Sequence, residues 1–344
     1  MTKKQAILAL AVAALPLASC SDEQEPARKV LTLLTEGDIR NNSKMYHEED
    51  PYSAANYFEE GDNIYVNGEV LSVESAVENP THFLLYDTWQ PWPGDFFLAT
   101  FPSNLLAEEP ASYSSDFYDQ VTGLNQKTVK VVYPRVYRRP DYNDEYSYLS
   151  NSKHLEYPMI ALENRVSDQL RFHNLCAIFR VDLANRSMNQ GFTIDSVQAY
   201  VSDNNYHSLS GPRQVTVFEG TTASPVITDI NYYSNTEAHK TVSIDLTTFP
   251  DSWRQIEADD TKVVSFPIPP TTGCSTPPHI YVRVYGKTSE NVSMMFERSA
   301  NLTFFFERNK IYTASYELSI GTDLVINLSS DATGDDRDDM GNLW

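Results

Sequence analysis

The sequence contains few of the residues from which catalytic and metal sites are usually built. Only three cysteines and seven histidines occur among 344 residues. No two histidines have the spacing of a metal-binding pair, and no HExxH, GxSxG, Walker or GxGxxG motif is present. The sequence therefore gives no positive reason to predict an enzyme or a cofactor. A hydrolase with two carboxylates far apart in sequence is left open, because such a pair leaves no local motif.

The cysteines give little sign of a disulfide framework. Cys176 lies inside an alternating apolar segment and Cys274 in a Pro/Gly loop, so a bond between them is conceivable. A thiol at the centre of a strand is more often a small buried hydrophobe, so we expect Cys176 to be free.

Basic residues and long apolar runs are scarce too. The formal net charge of -21 would repel a phosphate backbone, so nucleic acid is not an expected partner, and the acidity suits an exposed, soluble protein. The apolar run from Ala6 to Leu15 is too short to span a bilayer as a stable helix.

The composition that is present favours β-structure. Tyrosine (21) and phenylalanine (16) dominate the aromatic residues, and such side chains suit the pleated, half-buried surface of a sheet. Nineteen prolines and many Asn, Asp and Ser residues would separate many short strands. We therefore predict an all-β fold, and the length suits two domains better than one.

The segment Leu170–Leu183, LRFHNLCAIFRVDL, is the clearest strand signal. Its odd positions from Leu175 onward are all apolar, while its even positions become charged at Arg180 and Asp182. Strict alternation predicts a strand with one face on a core. We interpret the segment as the first long strand of a second domain.

Other strands are predicted on both sides of this segment. The predicted domains are residues 20–168 and residues 169–344, after a signal peptide at residues 1–19. In the first domain, Asn67-Gly68 is the strongest hairpin signal. Strands of the second domain are predicted near Thr193–Val201, Gln214–Phe218, Thr241–Leu246, Val263–Ile268, Ile280–Tyr285, Val292–Phe296 and Ile311–Leu318.

The first twenty residues resemble a bacterial lipoprotein signal. Lys3 and Lys4 precede the apolar run, and Leu17-Ala18-Ser19-Cys20 matches the lipobox. The match implies that Cys20 is diacylated, and each buried methylene of the lipid would contribute ~0.8 kcal/mol to anchoring. The acidic cluster after Cys20 is similar to the surface-export signal of Bacteroidetes lipoproteins, although a solvated tether would have the same composition.

Segments near both chain ends could each form a separate strand. Val30–Leu34 predicts a short strand joined to the rest by an exposed loop, in which cleavage after Arg40 would release it. Arg28 is a second trypsin-like site. Near the other end, DLVINL places Leu324, Ile326 and Leu328 on one face. The Asp-rich residues beyond it lack the spacing of a calcium loop and are expected to be a solvated tail.

Two aromatic segments are candidate ligand sites. Trp89 and Trp92 flank Pro91 and could stack on a sugar, although such tryptophans more often plug the end of a sandwich. The Arg- and Tyr-rich segment 135–149 is a candidate recognition loop, although a solvated loop is the more common role of such a segment.

The order of these features resembles the fimbrillin family of Bacteroidales, the subunits and accessory proteins of type V pili. Lipobox, short first strand and Arg-bearing loop are followed by FEEGDNIYV, FFLATFP, YPMIALEN and LRFHNLCAIFRVDL, and then by HIYVRVYG and FFFERNKIYTASYEL. The similarity covers most of residues 20–328 and lies in this order.

The resemblance implies two tandem transthyretin-like, Greek-key β-sandwich domains. It also implies export as a lipoprotein to the outer membrane and cell surface, and cleavage at Arg40 that removes the first strand. The vacated groove would accept a strand from another pilus subunit, with Leu324, Ile326 and Leu328 as this chain's donor residues.

Several alternatives stay open at this stage. A stalk, an anchor and a tip subunit are not distinguished, and the Asp-rich tail would suit a subunit whose C-terminus is not a donor. A surface lipoprotein that binds host glycans through Trp89 and Trp92, without polymerising, is the alternative function. Host proteins or glycans are possible partners of either.

Overall fold

The computed structural model describes a large part of the chain. The described residues are 28–35, 58, 60–76, 79–87, 95–106, 114–119, 124–138, 157–186, 191–202, 207–220, 225–229, 240–271, 276–301, 305–308, 310–318 and 325–327. Their fold is all-β, as predicted, with one short helix, α1 (Asp251–Arg254), in this part of the chain. No helix in these ranges is long and apolar enough to cross a membrane.

The strands follow one another at short intervals, as the frequent turn residues predict. They are β1 (Arg28–Thr35), β2 (Asn63–Val66), β3 (Glu69–Ser72), β4 (Glu74–Ala76), β5 (Asn79–Asp87), β6 (Phe96–Phe101), β7 (Ser114–Asp119), β8 (Leu124–Tyr133), β9 (Val136–Arg138), β10 (Met159–Asn164), β11 (Gln169–Asn174), β12 (Ala177–Asn185), β13 (Phe192–Val201), β14 (Gly211–Phe218), β15 (Val226–Asp229), β16 (Thr241–Asp245), β17 (Gln255–Ile256), β18 (Thr261–Ile268), β19 (His279–Thr288), β20 (Ser293–Asn301), β21 (Ile311–Leu318) and β22 (Val325–Asn327).

These strands form four sheets. An eight-stranded sheet has the order β3-β2-β6-β10-β11-β1-β5-β4, and a six-stranded sheet has the order β20-β19-β13-β16-β9, with β17 paired to β13. Two four-stranded sheets have the orders β18-β12-β21-β22 and β15-β14-β8-β7. The β8–β14 and β9–β16 pairs join strands from either side of the predicted boundary at residue 168, so the division into two domains stays a prediction.

Two hydrophobic clusters are buried between these layers. The smaller cluster lies on one face of the eight-stranded sheet and includes Leu31, Leu84, Phe97 and Phe172. The larger cluster is formed by the other sheets, together with residues such as Leu162 from the opposite face of β10. Alternation in β10 therefore separates two cores, because Ala161 faces one and Leu162 the other.

The first strands of the two halves have the same environment. β1 lies between the antiparallel strand β5 and the parallel strand β11. β12 likewise lies between the antiparallel strand β18 and the parallel strand β21. In each half, a strand early in the chain completes its sheet by pairing in parallel with a strand that comes much later.

The segment Leu170–Leu183 forms two strands, so the prediction that it is one long strand was wrong. Its first part is β11, in the eight-stranded sheet, and its second part is β12, in a four-stranded sheet. Every residue from Phe172 to Phe179 is buried, because the chain passes between two cores as it changes sheets. Beyond Phe179 the predicted alternation is confirmed. Cys176 is a free, fully buried thiol at the crossing, and burial raises its pKa.

The Asn67-Gly68 hairpin is confirmed. Val66 pairs with Glu69 across a two-residue turn in which Asn67 (φ 48°) and Gly68 (φ 101°) both have positive φ. The buried Asn67 side chain also accepts a hydrogen bond from Leu98 N at 2.8 Å and donates one to Phe96 O at 3.1 Å. The turn residue thus ties the β2–β3 hairpin to β6.

Asn67→Ala should lower the free energy of unfolding by about 2–4 kcal/mol, because it combines αL strain with two lost hydrogen bonds. Asn291→Ala is the matched control, since Asn291 also has a positive φ (62°) but is exposed. It should cost about 1 kcal/mol. Urea denaturation of the two variants measures both values, and equal losses would show that the Asn67 side-chain bonds contribute nothing.

Candidate strand-exchange site

The first strand, β1, lies in the interior of the eight-stranded sheet. Thr32 pairs with Phe83 of β5 on one side and with Gln169 of β11 on the other. Its backbone amide donates a hydrogen bond to Asp168 O at 2.8 Å. β1 is thus a central strand whose removal would leave β5 and β11 with unpaired edges facing each other.

The side chains of β1 alternate between core and surface. Leu31 (0% exposed) and Leu33 (5% exposed) enter the smaller hydrophobic cluster, whereas Val30 is 50% exposed. Complete burial of two leucines stabilises the strand by ~3–6 kcal/mol in total. The predicted strand Val30–Leu34 is therefore confirmed as an apolar strand, extended at both ends.

Lys29 marks the start of the groove that β1 fills. Its Nζ donates a hydrogen bond to Arg165 O at 2.6 Å and lies 5.2 Å from the centroid of the Phe97 ring. Burial lowers the pKa of Lys29, and Arg165 acts in the same direction, while Asp168 opposes them. The site holds a terminal N–H donor against a carbonyl and an aromatic ring.

The carbonyl of Arg165 is held by contacts outside β1 as well as by the strand itself. It lies in the turn between β10 and β11, where Arg165 N donates to Asp95 O at 2.8 Å and Ser167 N donates to Asn164 O at 2.9 Å. Phe97 is held by an edge-on contact with Tyr86, at 5.2 Å between ring centroids. Because these contacts do not involve β1, the acceptor and the ring belong to the groove itself.

The C-terminal strand occupies a different position. β22 pairs antiparallel with β21, with Ile326 opposite Tyr316, and forms the end of a four-stranded sheet. Ile326 is thus within a strand, as predicted, while Leu324 and Leu328 lie outside the described residues. The donor role of these residues stays a prediction.

Other predicted site residues also lie outside the described part of the chain. These are Cys20, Arg40, Trp89 and Trp92, together with most of the Tyr-rich segment 135–149. His173 is buried in β11, where its Nε2 lies 2.9 Å from Gly220 O, so it is a hydrogen-bonded core residue. Among the described residues, no group of three or more His, Cys, Asp or Glu side chains could hold a metal ion.

The Lys29 site was missed from the sequence. The only available signal was a lysine at the edge of an apolar strand, which is a common surface arrangement. Its partners Phe97 and Arg165 are far away in sequence, and one of them contributes a backbone carbonyl, which any residue carries. The pairing of strands was needed to bring the three together.

A row of stacked side chains covers part of the six-stranded sheet. The rings of Tyr200 and Tyr281 lie 5.0 Å apart at 19°, and the Arg283 guanidinium lies 3.9 Å from the Tyr200 ring centroid. Arg283 also pairs with Glu297. Since the guanidinium already covers a face of Tyr200, this row offers less free ring area to a sugar than isolated rings would.

Comparison with known proteins gives structural neighbours only. No family model and no curated protein matches the chain. A protein from Bacteroides uniformis ATCC 8492, provisionally described as a cell adhesion protein, shares 10% identity at a TM-score of 0.38, over 88% of this chain and 97% of that one. A protein from Bacteroides fragilis NCTC 9343 with the same description shares 11% identity at 0.38, over 88% and 98%.

A fimbrial protein is also among the neighbours. The C-terminally truncated tip fimbrial protein Mfa3 from Porphyromonas gingivalis shares 9% identity at a TM-score of 0.23, over 78% of this chain and 91% of that one. By their descriptions, the neighbours named here are adhesion and fimbrial proteins.

Leu31→Ala should lower the free energy of unfolding of the uncut chain by about 2–5 kcal/mol, because it leaves a cavity under the sheet. Val30→Ala, at the neighbouring exposed position, should change it by about 0.5 kcal/mol or less. Urea denaturation measures both. Equal effects would mean that β1 does not occupy the sheet in solution.

Proposed function

We propose that this chain is a structural or adhesive subunit of a type V pilus, displayed on the cell surface and assembled by strand exchange. The observation that carries the proposal is the place of β1, a terminal segment that forms a central strand.

Processing would begin with anchoring and cleavage. Lipidation of Cys20 attaches the exported chain to the outer membrane, and cleavage after Arg40 cuts β1 from the rest of the chain. The cut strand then stays in place only through its ladders with β5 and β11 and its two buried leucines. A peptide held without a covalent link is lost to dilution, whereas the intact strand is not.

Assembly would follow from the geometry of the groove. An empty groove exposes two ladder edges and a hydrophobic floor, which a strand from another subunit can cover. Three apolar donor residues of the kind found at Leu324, Ile326 and Leu328 would contribute ~5–9 kcal/mol before ordering costs. Among the described strands, β22 pairs with β21 alone. In the groove of another subunit, a donor strand would pair on both sides instead.

The proposed role requires neither catalysis nor a cofactor. The alternative, a glycan-binding surface lipoprotein that does not polymerise, depends on Trp89 and Trp92. The alternative predicts that the chain stays a monomer whether or not the loop at Arg40 is cut. The trypsin digestion described next therefore separates the two functions.

Limited trypsin digestion of the chain without residues 1–20 should cut after Arg40 and leave a folded body. Intact mass identifies the cut, and electron microscopy should then show ladders or fibres that the uncut chain does not form. Replacing both Arg40 and Lys44 by alanine should block the cut and the assembly, because trypsin also cleaves after the lysine four residues further on, whereas Arg28→Ala should block neither. A cut chain that stays monomeric on prolonged incubation would contradict self-assembly and favour the glycan-binding alternative or assembly with other subunits only.

Cys20→Ala should abolish lipidation, because no other residue of the lipobox can carry the thioether. Metabolic labelling with a radioactive fatty acid should give no labelled band, and surface display should fall severalfold. Ser19→Ala, which retains the cysteine, is the control that should keep both. Normal surface display of the Cys20→Ala variant would refute the lipoprotein assignment.

A further inference from the structure

We infer that the groove filled by β1 selects a strand of a different subunit, one that carries a lysine two positions before two alternating apolar anchors. This inference rests on the proposed function and adds the chemistry of the partner strand. The inference is based on the contact of Lys29 with Arg165 O and the Phe97 ring, next to the positions that Leu31 and Leu33 fill.

The groove has three subsites along one face of β1. Lys29, Leu31 and Leu33 point to the same side because side chains in a strand alternate. The last two subsites are apolar and closed, since the leucines are 0% and 5% exposed. The first subsite differs in chemistry, because it presents a hydrogen-bond acceptor at the end of an aromatic wall.

This polar subsite persists when β1 leaves. Arg165 is held by its bond to Asp95 O, and Phe97 is held by Tyr86, neither of which belongs to β1. A strand that enters the groove must therefore either supply a donor to Arg165 O or leave that acceptor without its partner. From this position in the strand a long side chain is needed to reach the carbonyl, as Lys29 does at 2.6 Å.

The chain's own C-terminal strand does not meet this requirement in either register that fills both apolar subsites. In the direction of β1, placing Leu324 and Ile326 in them puts Thr322 at the Lys29 position, where a threonine hydroxyl is several ångströms too short. Placing Ile326 and Leu328 there puts Leu324 opposite the carbonyl. From residue 319 to the end, the only basic residue is Arg337, and the residue two positions after it is an aspartate.

The groove and the C-terminal strand of this chain are therefore poorly matched to each other. A groove that matches a foreign strand better than its own still lets the cut chain polymerise when no other subunit is present, but it favours the foreign subunit when the two compete, and so orders different subunits along a fibre. The partner is defined by the pattern of β1 itself: a lysine, then apolar residues two and four positions later.

The test is peptide binding to the cut chain. The chain without residues 1–20 keeps every residue that the structure describes, and it is digested until residues up to Arg40 are detached. Fluorescein-labelled peptides are then compared by anisotropy: residues 28–35 (RKVLTLLT), the same peptide with Lys29→Met, residues 322–329 (TDLVINLS), and that peptide with Thr322→Lys. Methionine keeps the length and apolar stem of lysine but has no donor.

We expect Lys29→Met to weaken binding about tenfold, the low end of what one charge-assisted hydrogen bond contributes. The C-terminal peptide should bind more weakly than the β1 peptide, and Thr322→Lys should raise the affinity of the C-terminal peptide several-fold. In the chain carrying Phe97→Leu, the preference for lysine should shrink, while both apolar anchors still bind. The Met variant and the C-terminal peptide thus test the donor and the mismatch separately.

Two results would overturn the inference. If Lys29→Met binds as tightly as the unchanged peptide, or the C-terminal peptide as tightly as that of β1, the groove does not select a lysine-bearing foreign strand. Strand exchange itself would survive such a result. If the loop is cut but no peptide replaces β1, the groove does not exchange strands, and the proposed function falls with the inference.

Discussion

The fold depends on how the gap between β5 and β11 is filled. These strands cannot pair directly while β1 lies between them, and each contributes residues to the same hydrophobic cluster. β1 therefore supplies backbone partners on two sides and apolar side chains beneath. A strand between β5 and β11 therefore pairs their facing edges and covers the hydrophobic cluster beneath them.

The second half of the chain has the same arrangement of strands, but its first strand is joined to the preceding strand by a buried connection. β12 lies between an antiparallel and a parallel neighbour, as β1 does, but it continues directly from β11 through Leu175 and Cys176. All residues of this crossing are buried, so a protease has no exposed site there. Burial also raises the pKa of the Cys176 thiol, which keeps it protonated. One slot is thus filled by a strand that is continuous with the buried interior, and the other by a strand at the start of the described chain.

Local patterns predicted the strands well, because alternation and turn chemistry are properties of neighbouring residues. The strand at Ile311–Leu318 and the turn at Asn67-Gly68 follow from such signals alone. The break between β11 and β12 was not predictable in this way. An apolar residue that lies between two cores looks the same in the sequence as an apolar residue that faces one core. The pairing of β8 with β14 joins segments about eighty residues apart and leaves no mark in either. The Lys29 site was missed for the same reason, as its acceptor is a backbone carbonyl.

The position of Lys29 also has a thermodynamic consequence for the intact chain. Bringing an ammonium group into a partly dry site costs desolvation energy, which is why burial lowers its pKa, and an apolar residue there would avoid that cost. The bond to Arg165 O and the face of Phe97 offset that cost, and a methionine of similar length would fill the space but would not donate to the carbonyl. The contact therefore discriminates between strands through the acceptor that a strand without a donor leaves unsatisfied. The first strand thus has, at Lys29, a side chain that fixes its position through a directional contact as well as through apolar burial.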